Sequence, residues 1–231
     1  MTERENLFRP IHKGLRAMVY DLGRRLQTTD FADDLAGRAV IRDLQENLST
    51  NVGNCVLCLL LAHSTHEERD FFAPIVPFDP DVVNLLIEEH RDIVARIARL
   101  AEPCDAWRQE TSETRRIEIG DRLNLEANDL FALYLRHMNN EEAMMVPVMW
   151  EHFTDTQLRK MRADYHMNTP RDRFNAWMRW TLPALNVNEL IVLFRGLKED
   201  GPPELLDRFT EIASVTVDRS RWEATREHVG I

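Results

Sequence analysis

Apolar positions along this chain recur with helical spacing. His12, Leu15, Val19, Leu22 and Leu26 follow one another at intervals of 3, 4, 3 and 4 residues, which is one face of an α-helix, and Pro10 stands near its start. Thr28 to Phe31 reads as a connection. A second long element is predicted from about Asp33 to Ala73, with a break near Ser49 to Gly53, and Pro74, Pro77 and Pro80 end it. Asp79-Pro80 has the form of an N-cap followed by proline at the first helical position. Val83, Leu86, His90, Ile93, Ile97 and Leu100 make the next stripe, which Pro103 closes. From about Glu113 a further helix carries Leu123, Ala127, Leu130, Tyr134, His137, Glu141 and Met144 on one face, with Pro147 near its end. Beyond about Asp155 three or four shorter helices are expected. Their signals are a capping box at Thr154-x-x-Gln157, a cap at Thr169-Pro170, and breaks at Leu182-Pro183 and Gly201-Pro202-Pro203. No stretch alternates as a useful strand would. The reading is an all-α protein, with an up-down four-helix bundle over residues 8–152 and a C-terminal helical extension over 155–231 packed on it.

Composition narrows the class of function. The chain has 231 residues, enough for one large domain or a domain with an appendage, and only 8 Gly and 10 Pro, which favours long helices. A formal net charge of -10 argues against a nucleic-acid partner and against docking on anionic lipid, since both need clustered Lys and Arg. The longest apolar run, Cys55 to Ala62, is far short of the roughly 20 residues of a membrane span. Met1 to Asn6 lacks the apolar stretch of a signal peptide, and three cysteines do not suggest a disulfide framework, so a cytoplasmic location is expected. Cys55-Val-Leu-Cys58 lacks the flanking Gly, Pro or second CxxC of a zinc or redox site and reads as two small core residues.

An internal duplication carries the chemistry. His63-Ser-Thr-His66-Glu67-Glu68 is followed by Pro74, and His137-Met-Asn-Asn-Glu141-Glu142 by Pro147. Each is preceded by a helix with one histidine on its apolar stripe, His12 before the first and His90 before the second, at separations of 51 and 47 residues. In both of those helices apolar residues stand 3 and 7 positions further on (Leu15 and Val19; Ile93 and Ile97). Residues i and i+4 share a helix face about 6 Å apart along the axis, so His63 with Glu67, and His137 with Glu141, can reach one ion. A lone histidine on an apolar stripe is ordinarily a hydrogen-bonded core residue, and a lone His-x-x-x-Glu ordinarily an exposed pair. Duplicated in matched order, they read as two half-sites of His, His and Glu facing each other inside a bundle. Buried carboxylates are neutralised, paired or metallated, and imidazole and carboxylate together suit iron, manganese or zinc.

In these residues the chain resembles the hemerythrin HHE cation-binding family over roughly residues 8–152. The resemblance implies an up-down four-helix bundle around two iron ions joined through carboxylates and oxygen. It assigns the metal ligands to His12, His63, Glu67, His90, His137 and Glu141, with Glu67 and Glu141 bridging. Oxygen-carrying members have a further histidine one turn from the third-helix ligand; here Leu86 and Val94 occupy those positions. His66, Glu142, Asp70 and Tyr134 are the candidates for replacing it. His66 and the acids Glu68 and Glu142 are expected to support ligands more than to coordinate, and Tyr134 to pack in the core. Phe174, Trp177, Trp180, Leu182 and Leu185 are expected to form the apolar centre of the extension, which packs on the bundle; a homodimer contact and a cover over the metal pocket are its other roles. The leading function is binding or sensing of O2 or a related ligand such as nitric oxide or peroxide. A di-iron enzyme and an iron-responsive interaction module are the alternatives.

Overall fold

The computed structural model describes residues 4–46 and 54–231, Asp200 by its backbone alone. Among them there are helices and no strands. The chain divides into two compact units, one of residues 1–8 and 18–168, the other of residues 9–17 and 169–231.

The first unit's interior is built from packed helices. Helix α1, Arg9–Thr28, starts with Pro10 in its first turn, as its missing N–H allows. From Met18 onward α1 buries Met18, Val19, Leu22 and Leu26. The element expected over 33–73 is two helices. Helix α2, Asp34–Leu44, is capped by Asp33, whose carboxylate accepts the Leu35 and Ala36 N–H groups at 2.8 and 3.2 Å. Helix α3, Val56–Glu67, follows, and the expected break at Ser49 to Gly53 lies outside the described residues. Helix α3 is apolar nearly all round, with Leu57, Leu59 and Leu60 at 1% exposure or less, as befits a central helix. Helix α4, Pro80–Arg99, has its Asp79 cap and buries Val83, Leu86, His90, Ile93 and Ile97. Pro103 does not close it. The helix ends at Arg99, and Pro103 sits in the first turn of α5, Ala101–Gln109, where a proline costs no hydrogen bond. Helix α6, Glu113–Asn140, packs against α4 and α5.

Both His-x-x-x-Glu motifs end in a π-helical turn, Glu68–Phe72 after α3 and Glu141–Met145 after α6. The prolines explain why. Pro74 and Pro147 have no N–H for the residue four back, and their rings crowd that residue's carbonyl, so widening the preceding turn relieves both demands. The extra residue shifts the phase of the face. Met144, expected on the stripe, is only half-buried, while Met145 and Met149 are fully inside. Helices α7, Val146–His152, and α8, Asp155–Asn168, complete this unit. The expected Thr154–Gln157 box precedes α8, the two residues exchanging bonds at 2.9 and 3.3 Å.

The second unit joins residues 9–17 of α1 to four helices: α9, Arg171–Ala184; α10, Val187–Asp200; α11, Pro203–Thr216; and α12, Arg219–Val229. With α8, five helices stand where three or four were expected. Its centre is Phe174, Trp177, Leu182, Phe194, Phe209 and Trp222. Trp180, expected in that centre, is half-exposed, because at 3.6 residues per turn it points away from the face that holds Trp177 and Thr181. Pro183 lies inside the last turn of α9 and does not break it early. Gly14 of α1 lies so close to α9 that a Cβ there would stand 2.6 Å from Thr181 Oγ1. Lys13 donates to Glu189 at 2.5 Å, and Glu189 closes a capping box with Asn186 at the start of α10.

Candidate metal centre

Five of the six expected ligands come from α3, α4, α6 and the π turn that follows α6, all in the first unit. His63 and Glu67 lie one turn apart near the end of α3, His90 at mid-α4, His137 near the end of α6, and Glu141 begins the π turn after it. All five are at 2% exposure or less. Glu67, His90, His137 and Glu141 each offer a ligand atom within 4.8 Å of the others. His63 Nε2 is 2.9 Å from Glu67 Oε1, His137 Nε2 is 3.3 Å from Glu141 Oε1, and His90 Nε2 lies between the carboxylates, 3.6 Å from Glu67 and 4.0 Å from Glu141. The sixth, His12, is wholly shielded from solvent on α1, within the stretch that belongs to the second unit.

The orientation of two of these histidines is fixed from behind. Glu68, next to Glu67, takes His90 Nδ1 at 2.8 Å. Glu89, next to His90, takes His137 Nδ1 at 2.9 Å, and the Asn140 amide holds Glu89 at 2.7 Å. Each outer carboxylate calls for a proton on Nδ1, which turns an Nε2 lone pair toward Glu67 and Glu141. This is the usual support of a metal-bound histidine. Phe72 stacks flat on His90 at 5.3 Å and 7°, which further locks the ring.

Local electrostatics favour a cation. Burial works against a charged His137 ring, but the charges and hydrogen bonds of Glu141 and Glu89, with Glu67 behind them, overcome it and raise the group to about 10. Burial, then the charges of Glu67 and Glu141, push the Tyr134 hydroxyl well above its ordinary 10. Two buried carboxylates thus demand positive charge, which a divalent ion supplies while leaving the imidazoles neutral. The donors also fit. Two ligand atoms each about 2.1 Å from an ion stand about 3–4 Å apart, which is the spread seen. His90 Nε2 is a fully buried nitrogen with no hydrogen-bond partner, aimed into this space.

The other candidates separate clearly. Tyr134 is fully buried and donates to the Leu60 carbonyl at 3.3 Å, its ring edge-on to His137 at 6.1 Å. Asp70 is paired with Arg69 at 2.5 Å. His66 is nearly buried and meets Tyr165 of α8 edge to face at 5.6 Å. Sequence reasoning missed Tyr165 and Glu89. Tyr165 is buried against Phe71, and burial together with the charges of Glu67 and Asp70 drives its hydroxyl well above 10. No spacing rule points to α8. Glu89 had a signal in the acid next to a ligand histidine, but its partner stands on a different helix.

The family model of the hemerythrin HHE cation-binding domain matches residues 5–149. The chain belongs to the hemerythrin HHE family. The resemblance read from the paired motifs is thus confirmed, and the match spans all the candidate ligands. No curated protein and no solved structure matches the chain. Membership of the HHE family, together with the buried cluster, makes this a metal-binding protein. Among the described residues no helix is long and apolar enough to cross a membrane.

The outer carboxylates of this HHE site give a first prediction. Glu89→Ala should weaken metal binding about 10- to 100-fold, the usual cost of losing such a partner. Glu68→Ala should cost less, because Glu68 is 43% exposed and water can replace it, whereas Glu89 is 13% exposed. Competition with a coloured chelator measures both, and equal losses would contradict the ranking.

Proposed function

We propose that this protein holds two iron ions with His12, His63, Glu67, His90, His137 and Glu141, and uses them to bind or sense O2 or a related small ligand, nitric oxide or peroxide. The observation that carries the reading is the pair of histidines whose Nδ1 atoms are tied to outer carboxylates while their Nε2 atoms face two buried glutamates. The second His-x-x-x-Glu pair argues for a second ion, since His63 and Glu67 repeat the geometry of His137 and Glu141. His12 is included on the sequence pattern, as the lone histidine on an apolar stripe that precedes the first His-x-x-x-Glu just as His90 precedes the second.

Iron bound here would supply reversible binding of a diatomic or peroxide ligand, and manganese or zinc would accept the same donors. The chain's own residues do the rest. Glu68 and Glu89 hold the protons on His90 and His137 at Nδ1. Phe72 and Phe71 keep bulk water away, at 1% and 2% exposure. A surface pocket bordered by Leu61, Ser64, Thr65, Glu68 and Val94 reaches the outer side of His90, where Glu68 holds Nδ1. Tyr134 has its hydroxyl committed to Leu60, which favours binding over turnover that needs a proton donor.

The test is metal analysis with an ultraviolet-visible spectrum of anaerobically purified protein, before and after air. Two irons per chain and new near-ultraviolet charge-transfer bands in air are expected. His12→Ala should lose about half of the metal. One ion per chain in the wild type, or full loading without His12, would count against the two-ion site. Stoichiometric uptake of the ligand supports sensing, and continuous consumption supports an enzyme.

A further inference from the structure

The first turn of α3 sets two thiols side by side, well away from the metal ligands along the same helix. Cys55 is the N-cap, with extended backbone (φ -63°, ψ 162°), and its sulfur accepts the Cys58 N–H at 3.4 Å. The Cys58 thiol is within reach of both the Cys55 sulfur and the Glu46 carbonyl oxygen, the latter at 3.4 Å. A sulfur at this place stands at the positive end of a twelve-residue helix, where a thiolate is favoured. The hydrogen bond from Cys58 is the main cause that holds the Cys55 thiol down at about 6; burial and the Glu46 carboxylate work against it. Cys104 of α5, also near, has no such donors, and burial pushes it up to about 12. Exposure is graded as well: Cys55 keeps 8%, Cys58 and Cys104 none. Core packing accounts for the burial of this pair, but not for an outer sulfur ringed by donors above an inner thiol.

We propose that Cys55 and Cys58 form a redox dithiol that reduces disulfides of small thiols, with Cys55 as the attacking sulfur and Cys58 as the resolving one. The Cys55 thiolate attacks one sulfur of R–S–S–R. That S–S bond breaks, RS⁻ leaves and takes a proton from water, and a mixed disulfide remains on Cys55. Cys58 gives its proton to water and attacks the Cys55 sulfur, and the second RS⁻ departs and is protonated in turn. The dithiol has then lost two electrons and two protons, and the small disulfide has become two thiols. Attack through the more exposed sulfur, the one that caps the helix N-terminus, fits the general rule for thiol exchange.

The experiment incubates the full-length protein in mixtures of oxidised and reduced glutathione, quenches with acid, alkylates, and reads intact mass and peptide maps. Wild type and Cys104→Ser should lose two thiols together as a Cys55–Cys58 disulfide. Cys58→Ser should stop with glutathione on Cys55, and Cys55→Ser should take up none. The proposal is overturned if Cys55 and Cys58 stay reduced in the folded chain while the same chain in guanidinium forms their disulfide. Glutathione appearing on Cys58 or Cys104 in preference to Cys55 overturns it equally. If a serine variant fails to fold by circular dichroism, the wild-type map alone decides.

Discussion

Replacing Glu141 with glutamine should strip at least half of the metal from the protein and abolish most of the thermal stabilisation that metal confers. Glu141 is wholly buried and brings a carboxylate oxygen within 3.3 Å of His137 Nε2 and 4.0 Å of His90 Nε2. Glutamine keeps the volume and removes the charge, so packing is held constant while the demand for a cation falls. An ion present at 100 times its dissociation constant stabilises the folded chain by about 2.7 kcal/mol, roughly 5–11 °C for a chain this long. That increment should be present in wild type and nearly gone in Glu141→Gln and Glu67→Gln. The metal-free melting temperatures should differ less, because each variant also removes one buried negative charge. Metal content by mass spectrometry and melting with and without added iron read the two quantities. Full metal stoichiometry in both glutamine variants would falsify the assignment of these carboxylates.

The buried cluster was legible because metal ligation forces residue type and spacing together. His63 with Glu67 and His137 with Glu141 must be one turn apart, and His90 must lie on an apolar stripe; both constraints are local in sequence. What was not legible depends on contacts between helices or on phase. Glu89 supports His137 from 48 residues away. Tyr165 reaches the neighbourhood of Glu67 from α8, beyond the motif. The π turns were foreshadowed by Pro74 and Pro147, but a strict 3.6 period placed Met144 inward where the widened turn places Met145. Pro103 reads as a terminator because an interior proline ends a helix, and the sequence does not show that a new helix has already begun at Ala101. Cys55 and Cys58 read as core residues because no Gly, Pro or second CxxC flanks them; both are indeed buried, and only the cap geometry shows what the sulfurs face.

A second large effect is expected far from the ligands, at Trp107. Its ring is fully buried on α5, its indole N–H donates to the Phe31 carbonyl at 3.3 Å, and the Arg116 guanidinium of α6 lies over it at 4.8 Å. Phe31 meets it edge to face at 6.3 Å. Against its far edge lies Gly37 of α2, so closely that a Cβ there would stand 2.1 Å from Trp107 Cζ2. Trp107→Ala should therefore cost about 3–5 kcal/mol, as large aromatic truncations in cores do, and Gly37→Ala about 1–3 kcal/mol through overpacking. The two should not add. Trp107→Phe removes the six-membered ring that Gly37 abuts, so Gly37→Ala combined with Trp107→Phe should be more stable than the sum of the single losses predicts, by about 0.5 kcal/mol or more. Urea denaturation of the four proteins closes the cycle. Simple additivity would mean that the α2–α5 contact yields without strain and that glycine at 37 is not required by the indole. Because Trp107 touches no ligand, metal content in the folded fraction should stay unchanged throughout, which separates loss of the helical frame from loss of the centre it carries.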